Sequence, residues 1–252
     1  MQKNILFLSI CLGLLAVACN CDAVYECPAE SDCFVVLIDF SSSARAMESR
    51  TNYVANFPKI ARQLDECDVI YATPITNQSL METKKIVEHT FGFFTPQHPD
   101  NSTYVAKERK KFESDIAQVR DQLVTQFSTK VSDTTNHVNG TEIMAALIAA
   151  SSYFKKNSGK NAQLYLMSDM LESSSFYNFE TLRLSEQKSN EIIQAERDQK
   201  GLPELTGVHV HIAGAAASDT ERWLGVKNFW LKYFAACSAN LKTENYGSEF
   251  IQ

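Results

Sequence analysis

Two apolar runs that each stop at an aspartate constrain this chain more than any other feature. Residues 33–40 read C-F-V-V-L-I-D-F, with Ser41, Ser42 and Ser43 next; residues 162–170 read A-Q-L-Y-L-M-S-D-M, with Ser173, Ser174 and Ser175 close behind. A continuous apolar run belongs to a strand buried on both faces, as in parallel sheets. In open parallel sheets, ligands collect beyond the carboxyl ends of the strands, where the strand order reverses. Asp39 and Asp169 are expected to stand there.

The remaining pattern supports that sheet. Tyr53, Phe57, Ile60, Ala61 and Leu64 recur at helical spacing over 52–64, with Pro58 expected to delay or kink the helix. A strand is predicted over 68–75 and a third over 85–94. Phe112, Ile116, Val119, Leu123 and Phe127 mark a helix over 104–127, followed by a polar loop over 128–140. A helix over 142–156 buries Ile143, Ala146, Leu147, Ala150 and Phe154. Further helices are predicted over 179–199 and 219–239, the latter with Trp223, Val226, Trp230, Phe234 and Cys237 inward. Strands at 209–213 and 243–251 complete the set. Alternating strands and helices define an α/β fold with a doubly wound, mostly parallel sheet flanked by helices.

The first 18 residues read as an export signal: Lys3 carries the one charge, and 5–18 are almost wholly apolar yet short for a membrane span. Ala16-Val17-Ala18 before Cys19 resembles the lipobox of bacterial lipoproteins, although that family usually has Leu where Ala16 stands. The resemblance implies lipidation of Cys19 and, with Asn20 rather than Asp next, an outer-membrane address; an ordinary signal-peptidase site is the alternative. Residues 19–32 are then a tether and 33–252 the domain. The net charge of −6 argues against nucleic acid, and leaves the lipid anchor as the membrane contact. Cysteine-rich chains suit oxidising compartments. With Cys11 removed and Cys19 acylated, Cys21, Cys27, Cys33, Cys67 and Cys237 remain, an odd number that suits two bonds and one spare thiol. The expected pairing is Cys33 with Cys67 and Cys27 with Cys237, at the sheet end away from the acids.

Asp39, Ser41 and Ser43 alternate along one loop, Thr141 precedes a helix, and Asp169 ends a strand. Two carboxylates and three hydroxyls are hard oxygen donors that suit Mg²⁺ or Mn²⁺. D-F-S-S-S at 39–43 resembles the D-x-S-x-S signature of the von Willebrand factor A family. N-G-T-E-I-M-A-A-L at 139–147 is similar to its threonine-bearing segment, and L-Y-L-M-S-D at 164–169 to its strand-end aspartate. The family has Gly where Ser42 and Met170 stand, which bears on loop geometry and not on the ligands. The resemblance implies a metal-ion-dependent adhesion site of Asp39, Ser41, Ser43, Thr141 and Asp169, whose cation accepts an acidic side chain from a partner protein. The plainer alternative is that Asp39 and Asp169 only cap helices and satisfy backbone amides.

Other residues carry less. His209 and His211 alternate on one strand face and could in principle bind a metal, but a half-exposed strand explains them more cheaply. Asn77, Asn101 and Asn139 begin N-x-S/T sequons, which matter only in a eukaryotic secretory route. Glu172 lies close after Asp169 and could occupy the metal from within, but is read as an exposed loop acid. No G-x-S-x-G, phosphate-loop or H-E-x-x-H motif occurs, and Ser41 replaces the second acid of a D-x-D phosphotransferase. The expected function is therefore a metal-dependent protein-binding module. A metal-assisted hydrolase using Asp39 and Asp169, and a metal-free envelope scaffold, are the alternatives.

Overall fold

The computed structural model describes residue 27 and residues 30–41, 44–76, 84–133, 140–215 and 220–250, with backbone alone for 44–48. Cys19, Cys21, Ser43, Asn77 and Asn139 lie outside these. The elements in chain order are β1 (Asp32–Asp39), α1 (Ala44–Ala61), β2 (Val69–Ile75), β3 (Val87–Thr90), α2 (Ser102–Ser132), α3 (Ile143–Lys156), β4 (Asn161–Met167), α4 (Glu186–Gln199), β5 (His209–Ala213), α5 (Thr220–Ala236) and β6 (Asn240–Tyr246).

The two apolar runs become neighbouring central strands. The sheet has six strands in the order β3-β2-β1-β4-β5-β6, parallel except for β3, which pairs antiparallel with β2. Strand order reverses between β1 and β4, so the switch point lies at the ends of the two runs. Strand periodicity sends alternate side chains of β1 to opposite faces. Phe34, Val36 and Ile38 join α1 and α2 in one apolar layer, where Phe57 and Phe127 stack at 3.8 Å. Cys33, Val35 and Leu37 join α3, α4 and α5 in the other. This is a doubly wound α/β fold, with helices on both faces of a mostly parallel sheet.

Several boundaries differ from the sequence reading. α1 starts at Ala44 and runs through Pro58, which sits in its last turns, where the missing amide removes one rung near the helix end. The 85–94 strand shortens to β3 at the sheet edge. α2 continues to Ser132 through residues expected to be loop. The helix expected from 179 begins only at Glu186, where Ser185 caps it by accepting from the Lys188 amide at 3.2 Å. Phe179 is instead a buried loop residue against Phe229 and Trp230. Among the described residues no helix is long and apolar enough to cross a membrane.

The expected cysteine pairing is overturned. Cys27 is bonded to Cys67, with Cα atoms 5.7 Å apart, while Cys33 and Cys237 are free and buried. Cys33 lies inside β1, in register with Val69 and not Cys67, and its side chain joins the α3–α5 layer. Cys237 follows α5 and its carbonyl accepts from Leu205 just ahead of β5. β2 and β5 are three strand spacings apart, about 14 Å, whereas a disulfide needs Cα atoms within about 7 Å. The bond that forms joins Cys27 to the turn before β2, at the amino end of the sheet. Around it Asp68 accepts from the amides of Asp32 and Asp65, both at 2.7 Å. Lys160 donates to the Ser31 hydroxyl at 2.7 Å and to the Cys67 carbonyl.

Candidate metal centre

β1 ends at Asp39, whose side chain is 2% exposed. Its Oδ1 accepts from the Ser41 amide at 2.8 Å and from the Thr141 hydroxyl at 3.3 Å. Its Oδ2 accepts from the Ser168 hydroxyl at 3.1 Å, and that hydroxyl accepts in turn from the Met170 amide at 2.9 Å. Ile38 pairs with Met167 in register, so Asp39 and Ser168 are the next step of the same ladder. Burial pushes the Asp39 carboxyl above its usual range, against the pull of the Ser41, Ser168 and Thr141 hydrogen bonds.

Asp169 follows Ser168 and is half-buried, with its Oδ1 accepting from the Leu171 amide at 2.9 Å. Neither this bond nor that from Ser41 is to a helix terminus; each acid satisfies the backbone amide two residues on, which is the amide part of the plainer reading. Tyr53, buried beneath, places the two acids in one neighbourhood. Burial raises its phenol well above the ordinary value, and both Asp39 and Asp169 push it further in the same direction. The backbone closes in at the same place. Gly214, at φ 95°, would put a Cβ 2.9 Å from the Tyr53 ring and 3.1 Å from the Ser168 carbonyl. A side chain there is excluded on conformation and space together.

The loop after β4 carries its own strain. Met170, standing where the resembled family has Gly, adopts φ 65°, a region that costs a non-glycine residue about 1–2 kcal/mol. Full burial of its side chain and a 2.8 Å hydrogen bond from the Trp230 indole to its carbonyl hold it there. Two residues on, Glu172 is 2% exposed and not the surface acid expected. Its Oε2 accepts from the amides of Ile143 at 2.8 Å and Met144 at 3.2 Å, the first two residues of α3. Burial pushes its carboxyl up to about 8 despite those bonds. Ser173 pairs with Thr141 through two 2.9 Å backbone hydrogen bonds.

Of the five residues read from sequence, Asp39, Ser41 and Thr141 are in hydrogen-bond contact, Asp169 adjoins the Ser168 that binds Asp39, and Ser43 lies outside the described residues. Ser168 was missed, although it stands beside Asp169 in the chain, a signal available but unread. Glu172 was weighed for its closeness to Asp169, but its contact with α3 carried no signal, because those partners come from another segment. His209 and His211 do not converge on a ligand. His209 faces Asn240 at 3.2 Å, and His211 stacks on Tyr165 at 4.8 Å, with burial holding its pKa below the ordinary value. Asn101 caps α2 by accepting from the Tyr104 amide. Among the described residues no group of three or more His, Cys, Asp and Glu side chains is placed to hold a metal ion; the set at the switch point consists of hydroxyls and carboxylates. That all-oxygen chemistry, around a buried acid whose charge burial disfavours, fits a hard divalent cation.

No protein-family model matches the chain, and no curated protein matches it. Several solved structures do. One is the conserved hypothetical protein BatB from Bacteroides thetaiotaomicron, 11% identical with a TM-score of 0.43, covering 88% of this chain and 92% of that one. Another is the manganese-loaded TRAP protein of Plasmodium vivax, at 14% and 0.39, covering 78% of this chain and 63% of that one. A von Willebrand factor type A protein from Catenulispora acidiphila matches at 10% and 0.39, over 82% of this chain and 43% of the other. The chain thus spans less than two thirds of the latter two. Identities this low bear on fold alone, and the fold assignment rests on this chain's own strand order and layers.

Proposed function

We propose that this chain is an exported domain of the von Willebrand factor A type that binds a partner protein through a divalent cation. The observation that supports it best is Asp39, a buried carboxylate at the switch point whose neighbours are the hydroxyls of Thr141 and Ser168. Asp39, Ser41, Thr141 and Asp169, with Ser43 from the sequence motif, would hold Mg²⁺ or Mn²⁺. When bound, the ion supplies a positive centre for an anionic oxygen, here the acidic side chain of the partner. The chain's own residues set the stage for that. Ser168 fixes the second oxygen of Asp39, Ser173 holds Thr141 by its backbone, and Gly214 lets the end of β5 pack against both Tyr53 and the Ser168 carbonyl.

Tyr53, beneath both acids, is held protonated by burial and by their charge, so this phenol does not serve them as a base. Anchoring through a lipidated Cys19 in the bacterial envelope, at the outer membrane, belongs to the same proposal; fatty-acid labelling of wild type but not Cys19→Ser is the expected result. The function itself is tested by capture from envelope extract with wild type and Thr141→Ala, in Mg²⁺ and in EDTA. A partner retained by wild type in Mg²⁺ and lost in the other arms is expected. Capture that survives EDTA, or turnover of simple phosphoesters or esters, contradicts the reading.

A further inference from the structure

We infer that Glu172 is a positioning residue for the cation site, gripping the start of α3 so that Thr141 is presented to Asp39; the inference rests on the metal reading above. An α-helix leaves its first amides without partners inside the helix, and a side chain at its N-cap normally satisfies one of them. In α3 the N-cap residue Glu142 makes no such bond. The acceptor comes instead from the loop after β4. One oxygen of Glu172 takes the amides of both Ile143 and Met144, at 2.8 and 3.2 Å, inside the protein and away from solvent.

The grip matters because of what lies on either side of it. Thr141 is two residues ahead of Ile143, and its hydroxyl donates to Asp39. Its backbone pairs twice with Ser173, the residue next to Glu172. Asp169 is three residues before Glu172, and Ser168 between β4 and Asp169 donates to the other Asp39 oxygen. The hexapeptide S-D-M-L-E-S at 168–173 therefore holds the β1 end through Ser168 and the α3 start through Glu172 and Ser173. Three segments distant in sequence are locked in one register by a single loop. Removing the grip frees the α3 start to shift, and with it the Thr141 hydroxyl, while every donor to the cation remains in the chain.

Partners that orient metal ligands typically change metal affinity by about 10- to 100-fold when removed. The test is Mn²⁺ calorimetry on the full chain, wild type and Glu172→Ala, Glu172→Gln and Glu172→Asp, each confirmed folded by circular dichroism. Amide exchange is followed at Ile143 and Met144. Glu172→Ala is expected to bind Mn²⁺ about 10-fold or more weakly and to expose both amides. Glu172→Gln keeps an acceptor oxygen of the same reach and is expected to keep both the affinity and the protection. Glu172→Asp retains the carboxyl group but draws the oxygen back by one methylene, so it is expected to fall toward Ala; it decides the matter if the Ala variant does not fold. Unchanged Mn²⁺ affinity in folded Ala or Asp variants, with wild type binding normally, overturns the inference alone. So does equal loss in the Gln variant, which would make charge and not grip the cause. No uptake by wild type overturns the metal reading and this inference with it.

Discussion

Asp68 and Asp39, at the two ends of the parallel sheet, solve the same problem, a buried carboxylate, in different ways. At the amino end Asp68 is met by two backbone amides, with the Cys27–Cys67 bond and the Lys160 ammonium close by. At the carboxyl end Asp39 is met mainly by hydroxyls, from Thr141 and Ser168, which can donate to the acid and still offer lone pairs elsewhere. Backbone amides and a disulfide have one arrangement and hold it. Hydroxyls turn, and a hydroxyl-lined acid can accept a cation without dismantling the fold around it. The difference marks one end as a fastening and the other as a place to bind.

If the amino end is a fastening, breaking it should cost the most stability. Cys27→Ser releases a crosslink spanning 40 residues, and the loop-entropy estimate for that length is about 3–4 kcal/mol. Urea denaturation should show that loss with Mn²⁺ binding retained; a loss at both ends would blur the contrast. A smaller effect is expected from Trp230→Phe. It strips the buried Met170 carbonyl of its donor, at about 1–3 kcal/mol, beside a residue already in the left-handed region. Thermal melts check it, and a wild-type melting temperature would mean that the loop does not lean on α5.

Glu172 is raised from 4.5 to about 8 by burial, so the folded state holds its proton more tightly than the unfolded state. Its contribution to stability is present below pH 4.5 and is lost as pH rises to about 8. In EDTA, wild type should therefore lose stability over that window relative to Glu172→Gln, and parallel curves would show that the carboxyl is not so perturbed. The smallest effect concerns the free thiols. Burial pushes Cys33 and Cys237 up to about 12, leaving about one in ten thousand as thiolate at pH 8. Alkylation of the native protein should be negligible until it unfolds, and rapid labelling would show a looser core.

Much of the fold was legible because β1 and β4 must be apolar on both faces, and that necessity is written residue by residue in 33–40 and 162–170. Asp39, Thr141 and Asp169 were legible for a related reason: a strand end or helix start can be located from the pattern that it interrupts. What was not legible depends on encounters in space. Glu172 looks like any loop acid until α3 is seen to lack its own cap, and Phe179 reads as the first residue of a helix until its ring is found against Trp230. Four cysteines permit three pairings, and only the strand order shows that Cys237 stands too far from Cys27. α2 outran its apolar stripe because the residues after Phe127 extend it with Val131 still facing the core.

The claim on which the account turns is that the carboxyl end takes up a cation through Asp39. Titration calorimetry with Mn²⁺ on the wild type and on Asp39→Ala tests it most directly, with circular dichroism to confirm that both are folded. The account predicts saturable uptake of one ion by the wild type and none by Asp39→Ala, which removes a donor and leaves the apolar layers as they are. Identical titrations of the two proteins, or no uptake by either, would contradict it.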